Sequence, residues 1–581
     1  MLKPIYIYYF TLMDNLINKL DENLTNNYEN ITNLGENDHP QESWISNSYG
    51  DLINKLYFQL TRQSCNKIDI NIINNYEYLI NEGINKNNLP LVKILISLLF
   101  QTRDIINGKG EYNLFYNMLP IWNKYWDKIN NIFLKKPLLL LFDTKSINNN
   151  YIYDFSHPYG SWKDIKYIFN SFKLNLKLSK NEIISECKKD GILSYIIFII
   201  KKEWNINNSL MFKWLPREKS KKFGWQVSIF ANNLYPNLSL REAKSLYRKR
   251  CATQNIKLET IQINQCNHTW SNINFNEKCT SLTTSRQFKS FMNKGSNNLY
   301  INHIDRLTCK LKFQNYLYNH LSNSSVKNLS LGEIVKKMIH LINLKDPELI
   351  KYYNLIWDKK LSEDQIVFSN IIPVLDLSLS MISENTGYYD ALGIALWIAC
   401  KSENKRILTF NNETSWLNLE NLDNLSSMLE KFKENNIGHG SNIYKSLKLI
   451  IDVCIINNIP NEDIENKKLI ILSDMQINKA DSSDDNFILQ ENIDYMFGIG
   501  GLSRQNEIPY KSPTIIFWNM KTTNGFPSLS NINNVFMISG VNHKLLFNLI
   551  KNGRSNIKDL NSKDSIIKYF ISNKRYNWFW K

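Results

Sequence analysis

The stretch IIPVLDLSLSM, residues 371–381, is apolar up to Asp376 and then sets hydroxyls at Ser378 and Ser380. A second apolar run, KLIILSD, ends in Asp474, and the turn GHGSN (438–442) offers Ser441 just ahead of a helical segment. Two carboxylates and three hydroxyls are all hard oxygen donors, the set that suits Mg²⁺ or Mn²⁺, with an octahedron of oxygens at about 2.1 Å and some retained water. Neither thiolate nor imidazole belongs to it. Two acids brought to one point repel unless a cation lies between them or one takes a proton, and a cation is the simpler solution.

A second kind of chemistry lies in the middle of the chain. The formal net charge is +16, and residues 201–300 hold 17 Lys/Arg against 5 Asp/Glu, whereas residues 371–581 hold 22 of each. In KWLPREKSKKFGW (213–225) and REAKSLYRKR (241–250) the cations Lys213, Arg217, Lys219, Lys221, Lys222, Arg248, Lys249 and Arg250 alternate with Trp214, Trp225 and Tyr247. Cations release counterions from a nucleic-acid backbone and aromatic faces take unpaired bases, so this mixture predicts phosphate binding with base stacking. A solvated helical face is the competing explanation. In the turn RDIINGKGE (103–111), Arg103, Asp104, Lys109 and Glu111 balance in charge, which favours an internal network over a phosphate contact.

Other clusters carry less. Eight cysteines are scattered without CxxC, so neither a disulfide framework nor a zinc ribbon is expected, and a reducing, intracellular and cytoplasmic setting is. Cys266, His268, Cys279, His303 and Cys309 fit no common finger spacing and read as ordinary residues. The start, MLKPIYIYYFTLM, lacks a small-residue cleavage site, and Met13 is an alternative start. No run offers the ~20 apolar residues a bilayer needs, so no membrane partner is expected. Abundant Asn, Ile and Lys point to an AT-rich genome.

The elements that must position these residues fall into two parts. Over 45–365 the apolar spacing is helical, as in 89–105, 190–204 and 330–344, the last opened by a Ser330/Glu333 capping box. No strict period appears, so irregular helical repeats are expected, with loops at 20–45, 205–209 and 260–300. Over 370–560 short strands (371–378, 406–410, 468–474, 514–519, 535–540) alternate with helices (388–401, 422–435, 442–458, 543–553), which implies a mostly parallel, doubly wound sheet. Ligands of such sheets sit beyond the carboxyl ends of the strands at the switch in strand order, where Asp376 and Asp474 stand. Residues 1–44 read as a partly disordered extension and 561–581 as a tail or helix.

With strand context and order in place, D-x-S-x-S, a later hydroxyl in a glycine turn and an Asp closing another strand resemble the metal-ion-dependent adhesion site (MIDAS) of von Willebrand factor A (vWA) domains. The resemblance implies a doubly wound, Rossmann-like vWA fold, with Asp376, Ser378, Ser380, Ser441 and Asp474 as ligands of Mg²⁺, directly or through water. Ser441 departs from the usual Thr, keeping the oxygen and losing a methyl. TRDIINGKGEYNLFY (102–116), YGSWKDI (159–165), KWLPREKSKKFGW (213–225), ILSDMQ (471–476) and IIFWNM (515–520) resemble an uncharacterised family with plant and giant-virus members. That family is similar in layout to the TROVE proteins, the Ro-type RNA-binding proteins with a HEAT-like helical-repeat ring and a vWA domain.

The resemblance implies a non-catalytic, ribonucleoprotein-like scaffold holding small structured RNA on its basic helical surface, in a host cytoplasm or a virion if the chain is viral. The alternative is a protein-interaction module whose metal captures an acidic partner side chain without RNA. An enzyme is not expected, because no nucleophile with a paired base is visible.

Overall fold

The structure is a computed structural model of the 581-residue chain, and it describes residues 32–34, 39–46, 48–61, 70–129, 132–142, 157–294, 302–323, 329–363, 367–383, 387–433, 442–477, 488–503, 508–521, 525–528, 532, 534–546, 562–573 and 575–576. The chain divides into two compact units. One comprises Met1–Arg103, Asn107–Leu114 and Ser330–Lys581; the other comprises Asp104–Ile106 and Phe115–Leu329. This division differs from the expected 45–365 and 370–560. The first helices and residues 330–363 belong to the unit that contains the sheet. No helix among the described residues is long and apolar enough to cross a membrane.

The first unit is α/β. Its strands are β1 (Thr32–Leu34), β2 (Pro40–Glu42), β3 (Ile371–Asp376), β4 (Arg406–Phe410), β5 (Thr414–Asn418), β6 (Lys468–Ser473), β7 (Thr514–Asn519) and β8 (Val535–Ser539). β1 and β2 form an antiparallel hairpin. The other six form one sheet in the order β5-β4-β3-β6-β7-β8, parallel except for β5. From β3 the chain winds outward to β4 and β5, then returns through β6 to β7 and β8. The switch in strand order therefore falls between β3 and β6. β6, β7 and β8 are almost wholly apolar and buried, as strands covered on both faces must be. Helices Ile443–Ile456 and Leu489–Leu502 contribute Leu447, Ile451, Ile493 and Phe497 to a core with Val374, Ile471 and Phe517. Helix Tyr388–Lys401 packs on β3, and helix Leu331–Leu344 packs on it in turn. Gly332 and Gly393 permit that crossing: a Cβ on Gly393 would lie 2.8 Å from the Leu331 carbonyl carbon.

Helix Tyr49–Gln59 sits at the carboxyl ends of β7 and β8. Asn519 Nδ2 donates to Phe58 O at 3.1 Å, Ser539 Oγ to Tyr57 O at 2.8 Å, and Gln59 Nε2 to Gly525 O at 2.9 Å. Lys109, completely buried, donates to the carbonyls of Tyr57 and Leu60 and to Ser539 Oγ, so its three N–H groups meet three acceptors. Unpaired carbonyls at a helix C-terminus favour a cation there. Lys109 thus faces the interior, but its hydrogen-bond partners are carbonyls and a hydroxyl and not the acids of the 103–111 turn.

The second unit is helical, with helices including Asp164–Asn175, Ile192–Trp204, Val227–Leu234, Leu240–Lys257 and Ile304–Asn323. Capping boxes at Ser179/Glu182 and Ser239/Glu242 start two of its helices. Two sequence expectations are corrected. Residues 260–300 are not one loop: Ile261–Cys266 and Ser281–Phe291 are helical, the second with Thr280 accepting from Thr283 N. Residues 39–43 are not loose, because His39, Gln41, Glu42 and Ser43 are buried in the α/β unit. Most of the 1–44 extension lies outside the described residues, whereas the 561–581 tail contains helix Ser562–Ser572.

Candidate metal centre and nucleic-acid interface

The carboxyl ends of β3 and β6 carry the first candidate site. Asp376 is completely buried; Oδ1 accepts from Ser378 N at 2.9 Å and Oδ2 from Ser473 Oγ at 2.6 Å. The hydroxyls of Ser378 and Ser380 lie 2.9 Å apart. Asp474 is also completely buried, and its Oδ1 accepts from Gln476 N at 3.3 Å. Its Oδ2 is buried with no hydrogen-bond partner among the described residues. Burial, and then the Asp376 charge, push the Asp474 carboxyl up to about 7, against the opposing pull of Ser380, Gln476 N–H and Lys521. A buried carboxylate oxygen without a donor, facing a second acid and two hydroxyls, fits a hard cation. Of the expected ligands, Asp376, Ser378, Ser380 and Asp474 converge here. Ser441 lies outside the described residues.

The loop after β6 is held in an unusual shape. Met475 has φ +61°, in the left-handed region a side chain rarely adopts, and its N–H donates to Ser473 Oγ at 2.9 Å. Its carbonyl accepts from Gln41 Nε2 at 3.2 Å. Glu42 and Phe526 exchange backbone hydrogen bonds of 3.0 and 3.1 Å, so the 39–43 strap holds the loops that follow both β6 and β7. At its start His39 Nδ1–H donates to Pro40 O at 2.7 Å, which leaves Nε2 to accept from the Tyr444 hydroxyl. Tyr444 accepts in turn from Asn492 Nδ2. Ser473 and Gln41 escaped sequence reasoning. The Ser473 hydroxyl precedes a motif residue, and Gln41 stands more than four hundred residues away.

The helical unit carries the second candidate. Helix Asp164–Asn175 and the segment 211–226 together build a ladder in which cations and rings alternate. Lys163 and Lys222 lie over Tyr167, 5.3 and 5.4 Å from its centroid. Lys222 and Lys166 flank Phe223 at 5.5 and 5.4 Å, and Lys166 and Lys213 flank Trp214 at 5.3 and 5.6 Å. Lys173 sits 4.9 Å from the Trp225 centroid. Among the described residues no carboxylate pairs with Lys166, Lys173, Lys213, Lys222 or Arg217. Burial holds Lys166 below the usual lysine range, with Lys163 and Arg217 adding to the effect, and burial alone does the same to Lys213.

The expected RNA-binding residues separate accordingly. Lys213, Trp214, Arg217, Lys222 and Trp225 belong to this patch, and Lys219, Lys221 and Lys249 are exposed. Tyr247 is a correction: only 2% exposed, it stacks on Trp204 at 5.6 Å and donates to Pro216 O, so it has no face to offer a base. Arg250 is half-buried and donates to the Trp204 carbonyl and Asn207 Oδ1 at 3.3 Å each. Arg248 and Lys244 are both engaged by Glu218. Sequence reasoning missed Lys163, Lys166, Tyr167 and Lys173, although their spacing in KDIKYIFNSFK places them near one side of a helix.

Residues 370–574 match the model of a family described as a domain of unknown function, DUF7788. No curated protein matches the chain.

Proposed function

We propose that the protein is a non-catalytic RNA-binding scaffold whose α/β unit is a vWA module with a Mg²⁺-binding MIDAS. The carrying observation is the set of lysines interleaved with rings on the helical unit, with Arg217 close to Lys166 and no carboxylate pairing with any of them among the described residues. Half-buried ammonium groups without an anion are costly, and phosphates supply the missing charge. The switch between β3 and β6, with an acid at each strand end, supports the vWA reading. Asp376, Ser378, Ser380 and Asp474 would hold the ion, which would supply positive charge at the carboxyl ends of the two central strands. Binding of a mixed small-RNA pool tests the scaffold. With five cations engaged, log K should fall against log[salt] with a slope of about −3 to −4. Replacing the exposed Arg217, Lys219, Lys221 and Lys222 by Glu should abolish retention without changing the melting temperature. Undiminished binding by that variant would refute the reading. A second reading, capture of an acidic protein side chain by the metal without RNA, is favoured by the lone Asp474 oxygen; its binding would respond to EDTA rather than to salt.

A further inference from the structure

We infer that the cation–ring ladder is a track for an unpaired stretch of RNA, with phosphates on Lys166, Lys213 and Lys222 and bases stacked on Trp214 and Trp225. This rests on the RNA reading above and narrows it to single strands. A duplex presents phosphates to a protein but keeps its base faces stacked inside, so cations alone would serve it. Here rings alternate with the cations. In the free protein the ammonium groups of Lys166 and Lys213 have the Trp214 ring as their partner, and Lys173 has Trp225. A nucleotide satisfies both halves of that contact at once: its phosphate takes the ammonium and its base replaces the ammonium on the indole.

The surroundings restrict which rings take part. One face of Tyr167 is covered by Tyr116, stacked at 5.4 Å and 6°, and Phe223 is buried with its edge against Tyr167. Trp214 and Trp225 are half-buried and keep surface exposed to solvent. The track therefore offers two stacking platforms. Stacking of this kind tolerates any base, because every base has a π-face.

The test is fluorescence anisotropy of the full chain with labelled oligouridylate and with a blunt RNA duplex of equal length, both at physiological salt. The single strand should bind more tightly by about tenfold. Trp214→Leu, which keeps apolar volume but removes the π-face, should weaken the single strand by about tenfold, leave the duplex unchanged, and be largely restored by Trp214→Phe. Should Trp214→Leu lose its cooperative melt, Trp225→Leu makes the same test. Equal binding of strand and duplex, with the tryptophan variants silent, overturns the single-strand inference and leaves the RNA reading standing. Failure to bind either RNA overturns both, as does retention on anionic lipid vesicles without RNA binding.

Discussion

Asp376 and Asp474 show how a single pair of side chains sets a thermodynamic demand. Both are completely buried, and Asp474 keeps one oxygen without a donor among the described residues. A bound cation relieves their repulsion, so millimolar Mg²⁺ should raise the melting temperature of the wild type. The stabilisation grows as RT ln(1 + [L]/Kd), about 2.7 kcal/mol at a hundredfold excess over Kd. Asp376→Ala should abolish that shift, as read by thermal denaturation with and without EDTA. His39 sets a different dependence. Burial lowers its pKa below the ordinary 6.5, partly offset by the hydrogen bond to Pro40 O. The folded state therefore holds the ring neutral while the unfolded chain takes up a proton. The sign follows: stability is full above pH 6.5 and falls as pH drops below it toward the folded value. His39→Asn should flatten this part of the stability–pH curve, measured by urea denaturation at successive pH values.

Among the elements, helix Tyr49–Gln59 shows what local sequence does not reveal. Its C-terminal carbonyls are satisfied by Asn519, Ser539 and Lys109, which come from two strand ends and a distant turn. Lys109→Met removes all three donors; Tyr57 O keeps Ser539 Oγ, and the Leu60 carbonyl loses the donor it has in the wild type. It should cost about 1–3 kcal/mol, the cost of one buried acceptor left unmade. RNA affinity should not change, because the side chain is wholly interior. Equilibrium unfolding and anisotropy on the same variant separate the two effects. Where helices Leu331–Leu344 and Tyr388–Lys401 cross, Gly393→Ala would place a methyl against the Leu331 backbone. Overpacking of this kind should lower stability by about 1–3 kcal/mol in the same unfolding assay.

For the whole molecule, the compact α/β unit is larger than the span that matches the family model. Phe58 lies in the same core as Val374 and Phe517, and the carboxyl ends of β7 and β8 are closed by residues 57–60 and 109. A fragment of residues 370–574 leaves Asn519 and Ser539 without those partners and uncovers the core around Phe526. It should lack a cooperative thermal transition, judged by near-ultraviolet circular dichroism against the full chain. Adding residues 39–114 and 330–369 should restore one. A fragment of 370–574 that melts as sharply as the full chain would contradict this account of the unit.

What the sequence alone determined follows from short-range physics. Apolar runs bounded by turns located the strands of the sheet except β5, whose TSWLN alternates weakly and leaves Trp416 exposed. The helix Leu489–Leu502 was also missed, its GIGG ending being a poor helical signal. The acids at the ends of β3 and β6 were legible because each closes an apolar run, while the sheet alone decides that the two strands flank the switch. Tertiary structure alone decided the rest, since it depends on contacts between residues hundreds of positions apart. It turned Tyr247 inward against Trp204 while bringing Lys166 to Trp214 and Lys173 to Trp225. It also drew helices that read as part of a repeat array into the α/β unit, because an amphipathic helix announces that it has a buried face but not which surface will cover it.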